Sequence, residues 1–285
     1  MRRRVGRNPR VRSLTKEIIM PVSRRFNSAR QAVPSTHLLS NGRYTVMLTS
    51  AGSGYSACDG LAVTRWREDA TCDAWGSYLF LRDTESGRVW SAGCQPTGVE
   101  PECYEVIFSE DRACFVRTEG SLSTRLEILV SPDDNLELRR LSITNSGAQS
   151  REIELTSYAE VVLAPMATDA AHPAFSNLFI QTDYLPEVHG LLAMRRPHGA
   201  SDLPVWAAHI VVGGTQEQVE YETDRARFLG RGRTIRDPVA LMDGRPLSDT
   251  VGAVLDPVWS LRTRMQVAAG ATAHIVFATM VAPTR

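Results

Sequence analysis

The chain has 285 residues, 43% hydrophobic and 22% charged, with zero formal net charge, a composition suited to a soluble globular protein with an apolar core. Charge is uneven: residues 1–25 hold nine basic residues and one acid, a net of +8, which leaves −8 for the remainder. No run approaches the ~18 apolar residues of a membrane-spanning helix, the basic start lacks the apolar stretch of a secretion signal, and no basic stripe interleaved with aromatics points to nucleic acid as a partner.

Residues 1–34 read as a basic, solvated arm or linker, and 35–285 as one large domain, a size that all-β sandwiches reach. From residue 35 the dominant period is two, the mark of half-buried strands. Tyr44 to Thr49 alternates after the turn Ser40-Asn-Gly42. Tyr78 to Arg82 leads through the polar turn Asp83 to Gly87 into Arg88 to Ser91. Leu122–Val130, Leu136–Thr144 and Arg151–Tyr158 are three successive alternating runs, separated by Ser131-Pro-Asp-Asp-Asn135 and Asn145-Ser-Gly147. Both separators are strong turn signals. The stretch 164–175, with Pro165 and Pro173, reads as a loop. Further strands are expected at 176–182, 190–195, 205–212, 218–223, 257–267 and 273–281, with short helical turns near 224–230 and 236–243. About a dozen strands without regular intervening helices predict an all-β, two-sheet antiparallel sandwich.

The five cysteines (Cys58, Cys72, Cys94, Cys103 and Cys114) are odd in number and lack Cys-x-x-Cys spacing, so they read as reduced thiols rather than a disulfide framework or a zinc site. Those cysteines and the absent signal make the chain cytoplasmic on this reading. The histidines His37, His189, His198, His209 and His274 show no metal-like spacing, and no cofactor is expected. Ser109, Ser157 and Ser176 lack the context of a nucleophile elbow.

The densest polar and aromatic run is Arg65-Trp66-Arg67-Glu68-Asp69, followed by Asp73 and Trp75. A tryptophan offers a flat face on which a sugar ring can stack, and arginines and carboxylates can hydrogen-bond its hydroxyls. The same types also brace loops against sheets and fill interfaces. His172, before Pro173, is a further candidate contact that also fits a structural hydrogen bond. Glu68 and Asp69 are adjacent, so on a strand they point to opposite faces and cannot flank a scissile bond as a glycosidase pair does. Gly230-Arg-Gly232 lacks the Gly-Lys-Ser/Thr of a phosphate loop, and Asp224, Arg225, Arg227, Arg231 and Arg233 read as a salt-bridged surface turn.

An ordered series of segments resembles one family. It comprises Leu39 to Tyr44, Gly54-Tyr-Ser56, Leu61 to Asp69, Asp73-Ala-Trp-Gly76, Leu79 to Asp83, Phe108-Ser-Glu110, Thr156 to Glu160, Ala171 to Asn177, Tyr221 to Thr234 and Val254-Leu-Asp-Pro257. The series is similar to the amino-terminal β-sandwich of family 94 glycoside phosphorylases, and most of all to the corresponding region of cyclic β-1,2-glucan synthases. The resemblance implies a β-supersandwich of galactose-mutarotase-like architecture. It further implies a role without catalysis of its own: docking on a separate (α/α)6 catalytic barrel, shaping the rim of its cleft, and helping it to dimerise. A β-glucan or oligosaccharide would be the ligand, and the parent enzyme would sit at the inner membrane. By the same resemblance the barrel lies outside this chain. Residues 57–60 (Ala, Cys, Asp, Gly) depart from the family pattern of an aromatic and basic residues in a loop expected to meet sugar, and Cys72 and Cys94 depart from Arg and an aromatic. The alternative is a free-standing glycan binder or epimerase-like protein, or a decayed fragment. If one face normally packs on a barrel, it should expose an apolar patch.

Overall fold

A computed structural model describes residues 23–69, 71–197, 199, 204–214 and 219–285. The chain folds into two antiparallel sheets. The first runs, in spatial order, β1 (Arg24–Phe26), β8 (Cys103–Phe108), β9 (Ala113–Glu119), β10 (Leu122–Val130), β11 (Leu136–Asn145), β18 (Thr272–Ala282), β15 (Val205–Gly213), β14 (Gly190–Arg195) and β13 (Ile180–Leu185). The second runs β16 (Glu220–Asp224), β17 (Pro257–Val267), β12 (Arg151–Ala164), β5 (Leu61–Thr64), β4 (Gly54–Cys58), β3 (Tyr44–Thr49) and β2 (Thr36–Ser40). A side branch of β6 (Tyr78–Asp83) and β7 (Val89–Ser91) also pairs with β12.

Period-two alternation explains the layering. On β12, Ile153, Leu155 and Val161 join the core between the sheets, as do Trp259, Leu261 and Met265 of β17. The intervening residues face outward: Glu154 meets Arg264 of β17, and Tyr158 joins a second apolar cluster with Phe80, Phe228, Leu229 and Leu241. Much of that cluster comes from residues 225–247, which cover the outer face of the second sheet with α3 (Arg225–Leu229) and α4 (Val239–Met242). Covered on both faces, β12 has no exposed residue along its 14 positions. Gly54 shows how closely β3 and β4 approach: its φ is +152°, and a Cβ there would lie 1.9 Å from the Met47 carbonyl oxygen.

Several expectations change. Residues 24–26, assigned to the arm, form β1 and pair with Phe108, Ile107 and Val106, so the sandwich takes in chain well before residue 35. Residues 1–22 of the arm and His198 lie outside the described residues. The loop expected over 164–175 instead contains α1 (Met166–Ala171) and most of α2 (Pro173–Asn177), and the strand expected at 176 starts at Ile180. Pro173 occupies the first turn of its helix, where a missing N–H costs nothing. The five cysteines are free.

Candidate functional site

The segment after β5 leaves the second sheet and runs beneath α1 and α2. Arg65 is buried there, 6% exposed, and gathers partners from distant elements. Its Nη1 lies 2.7 Å from Glu160 Oε2 on β12 and 3.3 Å from Asp256 Oδ1 before β17. Its Nη2 lies 3.1 Å from Asp169 Oδ1 on α1 and donates to Asn177 Oδ1 of α2 at 2.8 Å. Asn177 in turn donates to Asp256 at 2.7 Å. Burial pulls the Arg65 guanidinium's pKa down, but Glu160 and Asp169 outweigh it and hold the pKa above its ordinary value.

Glu160 is the hub. Its Oε1 accepts from Tyr158 Oη at 2.9 Å and from Arg225 Nε at 2.7 Å, so one carboxylate joins the sheet, the Arg65 loop and the start of α3. Arg225 therefore turns inward, half-buried, instead of forming part of a surface salt-bridge turn. Burial alone would lower its pKa, but Glu160 raises it. Asp224 caps α3 by accepting from the Ala226 N–H at 2.8 Å. Asp224→Ala should cost about 1 kcal/mol, read as a lower urea midpoint, because that N–H loses its partner.

Over this network lies an open cleft of about 460 Å³, lined by Arg65, Arg67, Trp75, Glu160, Asn177 and Asp256 among others. Arg67 Nη1 bonds Asp169 Oδ2 at 2.6 Å, and its guanidinium sits 5.9 Å from the Trp75 ring centroid. Leu255 in the cleft's lining is 81% exposed, and Phe175 and Leu178, on α2 and just after it, are 54% and 51% exposed.

Of the residues singled out on sequence, Arg65, Arg67 and Trp75 line this cleft together. Trp66 packs against Tyr55, with ring centroids 5.8 Å apart. Glu68 and Asp69 are exposed, and Asp69 accepts from Thr71 N and Oγ1, which lowers its pKa. Asp73 accepts from Ser53 Oγ at 2.6 Å and lines a separate hollow with Cys72 and Arg236. His172 is exposed at the junction of α1 and α2. The loop at 57–60 is a tight hairpin whose Asp59 pairs with Arg43 at 2.9 Å. It lines a hollow with Val205 and Val281, not the cleft, so its missing aromatic and basic side chains remove nothing from the cleft lining. Sequence reasoning missed Asp169 and placed Glu160, Asn177 and Asp256 only within resemblance segments. Among the described residues, no group of His, Cys, Asp and Glu is placed to hold a metal ion.

Comparison with known proteins gives consistent results. A family profile described as "Glycosyl hydrolase 94, supersandwich domain" matches residues 20–285. A cyclic beta-(1,2)-glucan synthase, NdvB, of Rhizobium meliloti (strain 1021) is 41% identical over 252 residues, 88% of this chain and 9% of that protein. An N,N'-diacetylchitobiose phosphorylase of Vibrio proteolyticus is 25% identical over 230 residues, 78% of this chain and 28% of that one. This chain thus spans a small part of the curated relatives it matches. Among solved structures, a putative aldose 1-epimerase from Escherichia coli K12 aligns over 87% of this chain and 99% of its own, at 12% identity and a TM-score of 0.45.

Proposed function

Because the chain belongs to the glycosyl hydrolase 94 supersandwich family, we propose that it is the accessory module of a cyclic β-glucan synthase or glycoside phosphorylase, without catalysis of its own. In this reading the module docks on a separate (α/α)6 catalytic domain and shapes the rim of that domain's sugar cleft. The observation that carries the reading is the cleft built on Arg65. Its buried charges are tied to one another, which makes a stiff base. Trp75 and Arg67 at its wall offer a stacking face and hydrogen-bond donors to a sugar. Leu255 in its lining, with Phe175 and Leu178 exposed on and just after α2, supplies apolar surface of the kind that domain interfaces bury. The two relatives, of which this chain covers 9% and 28%, leave ample length for such a domain.

The test combines turnover and binding. The chain alone is expected to neither cleave, transfer nor phosphorolyse β-1,2-gluco-oligosaccharides, and to bind them weakly in calorimetry. Trp75→Ala should weaken that binding about tenfold, ~1.4 kcal/mol, by removing the stacking face. Turnover by the isolated chain would end the accessory reading, and binding unaffected by Trp75→Ala would remove the cleft from it.

A further inference from the structure

The two sheets meet at an edge where β1 and β2 lie close together, and the contact there turns on one histidine. β1 is only three residues long, stands at the end of the first sheet and pairs on one side only, with β8. β2 ends the second sheet, with His37 opposite Leu48 of β3. The His37 ring crosses from β2 to the first sheet and stacks on Phe108 of β8, with centroids 4.7 Å apart and planes 10° apart. Its Nε2 lies 2.8 Å from the Ser109 carbonyl oxygen. Its Nδ1 lies 3.3 Å from Arg24 Nη2 of β1, and the same Nη2 donates to the Thr36 carbonyl at 2.7 Å. The Arg24 guanidinium also sits 5.5 Å from the centroid of the Phe108 ring.

These partners fix the ring's protonation state. A carbonyl oxygen only accepts, so Nε2 carries the hydrogen. A guanidinium only donates, so Nδ1 must keep its lone pair to receive Arg24. The arrangement needs a neutral imidazole. A second proton would land on Nδ1, cancel the Arg24 bond and set two cations against each other. Few other charges offset this. On β1 and β8, Arg25 and Glu105 are paired at 2.9 Å. Beyond Ser109, Asp111 is held by Arg112 at 2.7 Å, and Glu110 is exposed. β3 offers Leu48, which has no charge.

We propose that Arg24 and His37 form a proton-operated clasp that holds β1 on the edge of the first sheet and frees it when the ring takes up a second proton from solvent. The direction of the ring's pKa agrees: burial lowers it below the ordinary 6.5, outweighing the Ser109 bond, which raises it, and the Arg24 charge adds a smaller lowering. The clasp is therefore intact above pH 6.5 and weakens as pH falls toward the ring's own pKa. Loss of β1 would bare the hydrogen-bonding edge of β8, a template for pairing with another chain.

Hydrogen exchange across Arg24–Phe26 and Cys103–Phe108, corrected for the intrinsic pH dependence, tests the proposal on the full chain. Edge opening should increase as pH falls from 7.5 to 5, by up to about tenfold for each unit separating the clasped and free ring pKa values. His37→Gln keeps an N–H for Ser109 but cannot titrate, so its edge protection should be flat over that range. Arg24→Gln removes the opposing charge, and the His37 ring pKa, followed by NMR, should rise. Edge protection independent of pH in the parent chain, an unchanged pH response in His37→Gln, or a ring pKa that Arg24→Gln does not raise would each overturn the clasp. If His37→Gln fails to fold, the ring titration in Arg24→Gln decides alone.

Discussion

Replacing Arg65 with methionine is expected to lower the unfolding free energy by about 3–5 kcal/mol, the usual cost of removing one partner from a buried ion pair. The substitution keeps much of the side chain's length but withdraws the charge that faces Glu160 and Asp169, whose side chains are 8% and 2% exposed. Those carboxylates would then stay buried with fewer donors, and the Asn177 amide oxygen would lose its own. Urea unfolding followed by tryptophan fluorescence measures the loss. Adding Asp169→Asn to Arg65→Met should recover part of it, because a neutral amide is easier to bury than an unpaired carboxylate. A loss below about 1 kcal/mol would mean that water reaches these groups, since exposed pairs contribute no more than that. The cleft floor would then not be the stiff base on which the accessory reading depends.

A second large effect is expected on mild acidification. His209 of β15 is buried in the core, where its ring stacks near Trp259 and Phe277 with centroids 5.9 Å away in each case. Its nitrogens bond Thr279 Oγ1 and Ser157 Oγ, each at 2.9 Å, so the ring spans from the first sheet to β12 of the second. Burial, with a smaller push from the Arg139 charge, lowers its pKa from 6.5 to about 3. The unfolded chain takes up a proton near pH 6.5 that the folded chain refuses, so stability falls as pH drops through the interval between those values. From pH 7 to 4.5 the loss from this residue should be about 2.5 kcal/mol. Depressed carboxylates such as Asp83 and Glu127 add losses of the same sign, but only below the ordinary carboxylate range. Urea midpoints at pH 7 and 4.5 should therefore differ strongly in the parent chain and much less in His209→Gln. Equal pH dependence in the two would show that His209 is protonated without unfolding.

Sequence reading found β3, β10 and β11, whose alternation follows from one face meeting the core, along with β6, β12 and the later strands β14 to β18. It passed over β2, β4, β5, β8 and β9. Of these, β4 and β5 are short, and β4 begins at Gly54, a residue that reads as a turn. Pro165 and Pro173 read as loop punctuation, yet each stands at the start of a short helix, a position that proline tolerates. In the cleft, the local cluster of Arg65, Arg67 and Trp75 was legible because all three lie within eleven residues. Their partners were not, since an ion pair between residues 95, 104 or 191 positions apart leaves no local trace. Arg225 was misjudged for the same reason: its partner Glu160 lies 65 positions away, while acids and arginines close by suggested a surface turn.

The 191-position span from Arg65 to Asp256 also bears on how the polypeptide matures during synthesis. Arg65 can meet Glu160 and Asp169 once those residues have been made, but the ribosome must deliver Asp256 before the floor's network is complete. β12 waits as well, since its registered neighbour β17 begins only at Pro257. Through that delay a 14-residue segment rich in Val, Leu and Ile lacks the strand that will flank it, so nascent chains should be most vulnerable to misassociation between the emergence of residues 164 and 257.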